Sequence, residues 1–442
     1  MSNITLGLVS FAVLLAMVFL RIPIGLSMFL CGVGGSWIIT GSPAPMLGQL
    51  KQIAYSTFSD YNLSVVPLFL LMGQFAAYGG ISGKLFATAE NWLGHRRGGL
   101  AMATIGACAG FGAICGSSMA TAATMARVAL PELRRAGYSG ALSTGTLAAG
   151  GTLGILIPPS IILVIYATLT EQNIAKLFVA AFVPGLLAAI GYMIAIRIFV
   201  WRNPEEAGAL RPRMPYGRRI LELARVWDIV ILLAVVLGGI YGGYFTPTEA
   251  SAVGAFGAGL IALARGKLTL GKLKEAIYYT AAASAMMFFI VLGAMLYNSF
   301  LALTQLPQEA AAYVVELGLD PWLVLSAILV LYLILGGPMD SLSMILLTIP
   351  IFFPIVMGLD FGLQPEELAI WFGILVLISV EVGLISPPVG MNLFVIQSMA
   401  RDVPTRAIFR GVMPFIVSDI LRTALLVAFP AITLTLLRWV YG

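Results

Sequence analysis

Two Pro-Pro pairs interrupt apolar segments of this chain, at Pro158-Pro159 and at Pro387-Pro388. Proline lacks a backbone N–H and its ring clashes with the preceding helical turn, so each pair is expected to break a helix. Inside a bilayer, the freed backbone groups are tolerated only where they are buried in protein or line a watery cavity. The two breaks lie about half the chain length apart. Matching broken helices in two halves are typical of transporters that bind substrate and ions near the membrane centre.

The composition places the chain among multi-pass membrane proteins. Of its 442 residues, 60% are hydrophobic and 10% are charged, and many stretches exceed the roughly 20 apolar residues that cross a bilayer as a helix. The net charge of +5 does not indicate a nucleic-acid partner, because most basic residues lie in short loops between apolar segments. No pattern of a nucleophile, a general acid–base pair or a zinc site is present, so we expect a transporter and not an enzyme.

The apolar pattern predicts an all-α fold of ten spans and two re-entrant hairpins. Residues 98–131 and 322–356 are each too long for one helix and are interrupted by glycine near the middle. We therefore expect each of them to enter and leave the membrane on one side. The ten spans are predicted at residues 4–20, 22–40, 62–79, 140–168, 177–201, 227–245, 247–264, 275–299, 367–397 and 409–438.

The basic residues support this topology. The loops that it places in the cytoplasm carry 19 of the 25 Lys and Arg residues, as the positive-inside rule requires. Both termini are then expected on the periplasmic side. If either hairpin crossed the membrane fully, all later loops would change sides and the bias would be lost.

Both halves of the chain have one plan: three spans, a hairpin, a broken span and a final span. Five crossings per half is an odd number, so the second half is expected to be inverted relative to the first. In the predicted organisation, scaffold spans occupy residues 1–97 and 227–321, transport units with the hairpins occupy residues 98–201 and 322–442, and residues 202–226 form a basic cytoplasmic linker.

The turn of the first hairpin has the groups expected at an anion or cation site. The chain turns at Gly116, and Ser117 or Ser118 is expected to cap the returning helix. A helix N-terminus inside the membrane favours a carboxylate, and carbonyl groups from the ending half-helix favour Na⁺. The alternative is that Gly112 and Gly116 serve only close helix packing.

Acidic residues in the second half are the other candidates. Asp340 follows Pro338 in the second turn, where it is expected either to take part in an ion site or to cap a helix, or both. Glu381 is expected near mid-membrane, and we favour structural anchoring over a proton relay or an effect on ion affinity. Asp419 and Arg422 are three residues apart on one helix and are expected to pair.

The motifs at both turns and both breaks closely resemble those of the large membrane subunit of TRAP transporters, the DctM-type subunit. The resemblance rests on residues 116–121, 151–160, 339–340 and 383–394, in this order, and covers essentially the whole chain. It implies an elevator mechanism in which Na⁺ drives uptake of an organic acid delivered by a periplasmic binding protein. It also implies a small four-helix membrane subunit, expected here to be a separate chain.

These arguments lead to a set of predicted site residues in a bacterial or archaeal inner membrane. Predicted Na⁺ ligands are Gly116, Ser117, Gly151, Thr152, Gly337, Asp340, Ser341 and Ser386. Predicted substrate contacts are Ser117, Ser118, Thr121, Ser160 and Asn392. C4-dicarboxylates, sialic acid and other organic acids all fit. The alternative function is a stand-alone ion-coupled carboxylate carrier, or an ion-pump component, that needs no binding protein.

Overall fold

The computed structural model describes residues 3–337 and 339–442, and every regular element within these ranges is helical. This confirms the predicted all-α fold. Pro338 of the second turn and residues 1–2, where the N-terminus was expected on the periplasmic side, lie outside the described residues.

The first half of the chain contains ten α-helices, and a further helix lies in the linker. They are α1 (Asn3–Phe19), α2 (Ile24–Thr40), α3 (Ala44–Ser59), α4 (Val65–Tyr78), α5 (Ile81–Leu93), α6 (Gly99–Cys115), α7 (Ser118–Arg135), α8 (Gly140–Leu156), α9 (Ile161–Thr170), α10 (Ile174–Arg202) and α11 (Tyr216–Ala224).

The second half repeats this order of elements. Its helices are α12 (Trp227–Tyr241), α13 (Pro247–Ala264), α14 (Leu270–Thr304), α15 (Leu306–Glu316), α16 (Pro321–Leu335), α17 (Ser341–Met357), α18 (Pro365–Ile385), α19 (Met391–Met399), α20 (Thr405–Ala428) and α21 (Pro430–Tyr441). Within the described ranges, five helices (α10, α13, α14, α18 and α20) are long and apolar enough to cross a membrane, and counting each of the bent pairs α3–α4 and α8–α9 as one span raises the number to seven.

Both apolar stretches that were predicted as hairpins fold as two helices joined by a turn, α6–α7 and α16–α17. Arg211 pairs with Glu90, before the first hairpin, at 2.7 Å and with Glu132, at its end, at 3.4 Å. In the second hairpin, the Trp322 ring at the start packs edge-on against Phe361 just beyond the end, with centroids 5.3 Å apart. Each hairpin therefore enters and leaves on one side of the molecule, as predicted.

Four of the helices were not predicted from the sequence: α3, α5, α11 and α15. A search for spans finds continuous apolar runs, whereas these short helices mix polar and apolar residues and lack such runs. The predicted final span at 409–438 is also wrong in extent. The chain leaves the helical conformation at Phe429, which precedes Pro430, because a residue before proline is sterically excluded from the α region.

The two halves exchange equivalent contacts. Helix α2 packs along α14, and α4 packs along α13, so that each pair joins one repeat to the other. Each hairpin packs against the broken span of its own repeat, α6–α7 on α8 and α16–α17 on α18. The exposed apolar side chains form the outer surface of the spans, as expected for a protein whose surroundings are lipid.

Ion pairs between separate elements connect segments that the topology places on one side of the membrane. On the predicted cytoplasmic side they join Lys84 and Arg265 to Asp228, Arg134 to Asp402, Arg211 to Glu90 and Glu132, and Arg410 to Glu206. On the predicted outer side they join Lys176 to Glu366 and Arg438 to Glu367. Among the described residues no pair joins the two sets, which fits the predicted sidedness of the loops.

Candidate functional site

The first hairpin turns through Gly116, whose φ of +62° lies in the left-handed region that favours glycine. Ser117 is the N-cap of α7, and its Oγ accepts a hydrogen bond from the Ala120 N–H at 3.4 Å. This confirms Ser117, of the two serines considered, as the capping residue. The first turn of α7 therefore presents backbone N–H groups at the hairpin tip.

The end of α6 lies directly against the end of α8. A Cβ atom added to Gly112 would lie 2.7 Å from the Gly154 Cα, which is closer than real Cβ contacts allow. At the tip itself, a Cβ on Gly116 would lie 3.2 Å from the Pro159 carbonyl oxygen. Glycine at these positions lets the tip of the first hairpin reach the first helix break.

The second repeat reproduces this approach. A Cβ on Gly336 would lie 2.8 Å from the Gly383 Cα, and a Cβ on Gly337 would lie 3.7 Å from the Val389 Cβ inside the second break. Asp340 is the N-cap of α17, because its carboxylate accepts hydrogen bonds from the Ser343 N–H at 3.2 Å and from the Ser343 hydroxyl. The capping role considered for Asp340 is thus confirmed, while its ion role stays a prediction.

Both helix breaks occur where the Pro-Pro pairs predict them. Helix α8 ends at Leu156 and α9 begins at Ile161; helix α18 ends at Ile385 and α19 begins at Met391. The last carbonyl groups of α8 and α18 have no partner within their own helix. Carbonyl oxygens of both broken spans lie beside the hairpin turns: a Cβ on Gly116 would lie 3.2 Å from the Pro159 oxygen, and a Cβ on Gly336 would lie 3.3 Å from the Val380 oxygen. Oxygen atoms of this kind are the ligands that a hard cation prefers.

The second halves of the broken spans cross to the other repeat. Helix α19 packs against α7 of the first hairpin, and α9 packs against α17 of the second. Asn392 of α19 donates a hydrogen bond from Nδ2 to the Ser118 Oγ at 2.8 Å, and a Cβ on Gly151 would lie 3.2 Å from that Nδ2. The Tyr166 ring of α9 packs edge-on against Phe353 of α17. The first candidate site is thus built from both repeats, which was not predicted from the sequence.

Three predicted substrate contacts have buried oxygen atoms without a hydrogen-bond partner among the described residues: Thr121 Oγ1, Ser160 Oγ and Asn392 Oδ1. Buried polar atoms are normally hydrogen-bonded, so such atoms are candidates for holding a polar ligand. Thr121 is fully buried beside Gly154. The structure therefore gathers Ser117, Ser118, Thr121 and Asn392 around the first tip, with Ser160 at the start of α9.

The side chain of Thr152, a predicted Na⁺ ligand, makes its contacts within α8 and with α10. Its hydroxyl donates to the Ala149 carbonyl at 2.7 Å and lies 2.9 Å from the Tyr192 hydroxyl, on α10. The Tyr192 hydroxyl donates in turn to Asp419 at 2.7 Å. The Thr152 hydroxyl thus faces α10, and a Na⁺ role for Thr152 stays a prediction.

A buried polar network continues from that point. Asp419 pairs with Arg422 at 2.8 Å, as predicted from their spacing, and both side chains are almost fully buried. Tyr192, which joins this pair to α8, was missed by the sequence analysis, because nothing in a lone tyrosine of an apolar span indicates its partner. The network ties the broken span to the last helices of both repeats.

Glu381 is fully buried and accepts a hydrogen bond from the Ser341 hydroxyl at the second hairpin tip, at 3.1 Å. Ser118 of the first tip is also a neighbour of this carboxylate. The Ser386 hydroxyl donates to the Val382 carbonyl at 2.7 Å within its own helix. Glu381 therefore connects α18 to the hairpin tips, and this contact supports the favoured anchoring role.

Comparison with protein families identifies the chain. The family described as "Tripartite ATP-independent periplasmic transporter, DctM component" matches residues 11–432. The chain belongs to this DctM family. The resemblance found in the motifs is thereby confirmed, and the chain is the large membrane subunit of a TRAP transporter.

Individual DctM relatives differ in the substrate that they are named for. The C4-dicarboxylate large permease DctM of Pseudomonas aeruginosa is 38% identical over 92% of this chain and 93% of its own length. The sialic acid large permease SiaM of Vibrio cholerae is 30% identical over 96% of each chain. The isethionate permease DctMQ of Oleidesulfovibrio alaskensis is 33% identical over 86% of this chain and 58% of its own length.

A solved structure has a similar fold. The YdaH transporter of Alcanivorax borkumensis superposes with a TM-score of 0.64 over 87% of this chain and 89% of that chain, at 16% identity. At this identity the likeness shows the fold alone. It places the DctM chain in a transporter architecture, in agreement with the hairpins and broken helices described above.

Proposed function

We propose that this DctM subunit carries an organic acid anion into the cell, driven by Na⁺. The observation that supports this most strongly is the composite site at the hairpin tips, where Asn392 of one repeat binds Ser118 of the other. Helix N-termini and cap hydroxyls suit a carboxylate, whereas carbonyl and hydroxyl oxygens suit a hard cation such as Na⁺. The named relatives transport C4-dicarboxylate, sialic acid and isethionate, which are organic acids.

The proposed Na⁺ sites lie where each tip meets a break. The first uses Gly116, Ser117, Gly151 and Thr152; the second uses Gly337, Asp340, Ser341 and Ser386. The glycines at positions 112 and 336 support this assignment, because they let each hairpin approach the backbone of its broken span closely. The substrate is proposed to lie between the tips, against Ser118, Thr121, Ser160 and Asn392.

We further propose that transport needs two partners, a small four-helix membrane subunit and a periplasmic binding protein. In an inner-membrane complex of this kind, the binding protein delivers the substrate to the outer face. Uptake into liposomes by the large and small subunits should require the substrate-loaded binding protein. Uptake of free substrate at the full rate without it would favour the stand-alone carrier.

Movement of the hairpins against the scaffold is the proposed mechanism, and the chain offers a direct test of it. Gly73 of α4 faces Cys115, the last residue of α6, at the tip of the first hairpin. A Cβ atom added to Gly73 would lie 3.2 Å from the Cys115 Sγ. Gly73→Cys therefore creates a pair that can form a disulfide, for which Cβ atoms lie about 3.5–4.5 Å apart. Oxidation of this variant should stop uptake, and reduction should restore it.

The matched control is Gly73→Ser, which adds nearly the same volume without a second thiol. Oxidation should leave its uptake unchanged, so that loss caused by crowding at Cys115 is separated from loss caused by the crosslink. An oxidised, fully crosslinked Gly73→Cys protein that transports at its reduced rate would contradict the elevator mechanism while leaving Na⁺-driven uptake itself open to test.

A further inference from the structure

A cavity of about 740 Å³ lies between the α5–α6 connection and the second half of α10. None of the residues that line it belongs to the helix breaks. Three arginines line it: Arg96 and Arg97 from the connection and Arg197 from α10. The other lining residues are almost all apolar, and none of the eleven is acidic. We call this cavity the arginine pocket.

The three guanidinium groups have no protein partner that neutralises them. Among the described residues, none of them forms an ion pair or a side-chain hydrogen bond. On the same face, Arg134, Arg211, Arg265 and Arg410 are paired with carboxylates, whereas other unpaired arginines among the described residues, such as Arg218 and Arg406, do not line this cavity. Three uncompensated positive charges converging on one cavity favour binding of an anion.

Helix α10 contributes both apolar and basic side chains to the arginine pocket, and these match the acyl chain and the charged headgroup of a lipid. Ile190, Ile194, Arg197 and Trp201 recur every three to four residues and so share one helix face. Ile194 is 52% exposed and Trp201 is 78% exposed. Arg197 lies about 8 Å from the end of this helix, which is the depth at which arginine and tryptophan meet lipid headgroups.

The connection that carries Arg96 and Arg97 is held against α10. Gly98 has a φ of +73°, and a Cβ there would lie 3.1 Å from methyl groups of Ile196 and Val200. The left-handed conformation and this close contact both favour glycine. The two sides of the arginine pocket are therefore fixed relative to each other, so an incoming ligand would meet a preformed site.

We propose that the arginine pocket binds an anionic phospholipid. The phosphodiester is held by Arg96, Arg97 and Arg197, and an acyl chain follows the apolar stripe of α10 through Ile194 and Ile190. The guanidinium fork matches phosphate oxygens, and basic pockets between spans are suited to anionic headgroups. The charge pattern of the loops puts this pocket in the cytoplasmic leaflet.

The test is a lipid titration followed by native mass spectrometry. Delipidated full-length protein is titrated with phosphatidylglycerol and, separately, with phosphatidylcholine. We expect one phosphatidylglycerol site that is at least about tenfold tighter than any phosphatidylcholine site. The variant R97Q/R197Q should weaken phosphatidylglycerol binding by about tenfold or more, whereas R97K/R197K should stay close to the wild type because both charges remain.

The matched control is R218Q/R406Q, which removes two charges from exposed arginines that lie outside the pocket and form no ion pair among the described residues. It should bind phosphatidylglycerol as the wild type does. Equal weakening in both double variants would show diffuse attraction and overturn the proposal, as would equal binding of phosphatidylcholine. Complete displacement of the lipid by an equal concentration of glycerol phosphate would overturn it too, because the site would then recognise a soluble phosphate ester.

Discussion

Asn392 donates a hydrogen bond to Ser118 across 274 residues of chain, from the half-helix after the second break to the first residue of the helix after the first turn. Neither residue has its partner in its own repeat. The contact joins the inverted halves at the point where a transported ion or substrate would need both. The candidate site is therefore a property of the assembled pair of repeats.

Replacing Asn392 by alanine should reduce transport much more than it reduces stability. The change removes two hydrogen bonds from Nδ2, to the Ser118 Oγ at 2.8 Å and to the Ala148 carbonyl at 3.4 Å, each worth about 1 kcal/mol. It also removes the Oδ1 atom that has no partner among the described residues. We expect an uptake rate lowered by about tenfold or more, at a stability cost of about 2 kcal/mol for the two lost hydrogen bonds. The control is Gln397→Ala on the same helix, whose side chain donates to Thr405 near the surface; it should transport normally. Equal effects of the two variants would contradict a site at Asn392.

The two hairpin glycines that lie against the broken spans, Gly112 and Gly336, should not tolerate a methyl group. Gly112→Ala and Gly336→Ala would each place a Cβ within 2.8 Å of a backbone Cα atom that belongs to a broken span. Such overpacking costs about 1–3 kcal/mol, and we expect lower thermal stability and loss of uptake for both variants. Gly34→Ala is the control, since α2 leaves open space around Gly34. The close-approach argument is wrong if the hairpin variants melt and transport like Gly34→Ala.

Tyr192→Phe should destabilise the protein by disconnecting the buried network. The change removes the hydrogen bond to Asp419, which is left with one partner fewer in the interior, and it removes the hydroxyl contact with Thr152. Loss of such a bond costs about 1–3 kcal/mol, which should appear as a lower melting temperature of the purified protein. Tyr244→Phe removes a hydroxyl from a ring that is 82% exposed, and it should have no effect. A melting temperature shared by both variants would show that the network contributes nothing to stability.

The sidedness of the loops can be tested by labelling single cysteines. Arg218→Cys, in the linker, should be protected from an impermeant maleimide added outside intact cells, whereas Glu316→Cys, at the end of α15, should react. The native cysteines Cys31, Cys108 and Cys115 are all buried, so they provide a low background without being replaced. Rapid labelling of Arg218→Cys from outside would reverse the proposed orientation.

The local parts of this fold could be predicted from the sequence because they depend on single residue types. Proline placed both breaks, and glycine with a capping residue placed both turns, since their backbone limits act whatever surrounds them. Pro430 also indicates the break at Phe429, but this break was not predicted because it lies within an apolar run. The short helices, such as α5, lacked any apolar run to follow.

The tertiary parts of the site could not be predicted in this way. The direction of the Thr152 hydroxyl depends on the rotation of α8 about its axis, which packing against α10 decides. The contact of Glu381 with Ser341 and that of Asn392 with Ser118 depend on how two hairpins and two half-helices pack together. A spacing of four residues, between Gly112 and the first turn and between Gly383 and the second Pro-Pro pair, was visible in the sequence and marks both close approaches.

The measurement that tests the central proposal most directly is uptake of a labelled organic acid into liposomes that contain the large and small subunits, with the loaded binding protein outside. An inward Na⁺ gradient should drive accumulation. If the Na⁺ ions that enter carry more positive charge than the substrate carries negative charge, an interior-negative potential should increase accumulation. Each net positive charge that enters gains about 2.3 kcal/mol per 100 mV. Replacing Na⁺ by choline should abolish accumulation. Accumulation that continues unchanged in choline would contradict Na⁺ coupling at the hairpin tips.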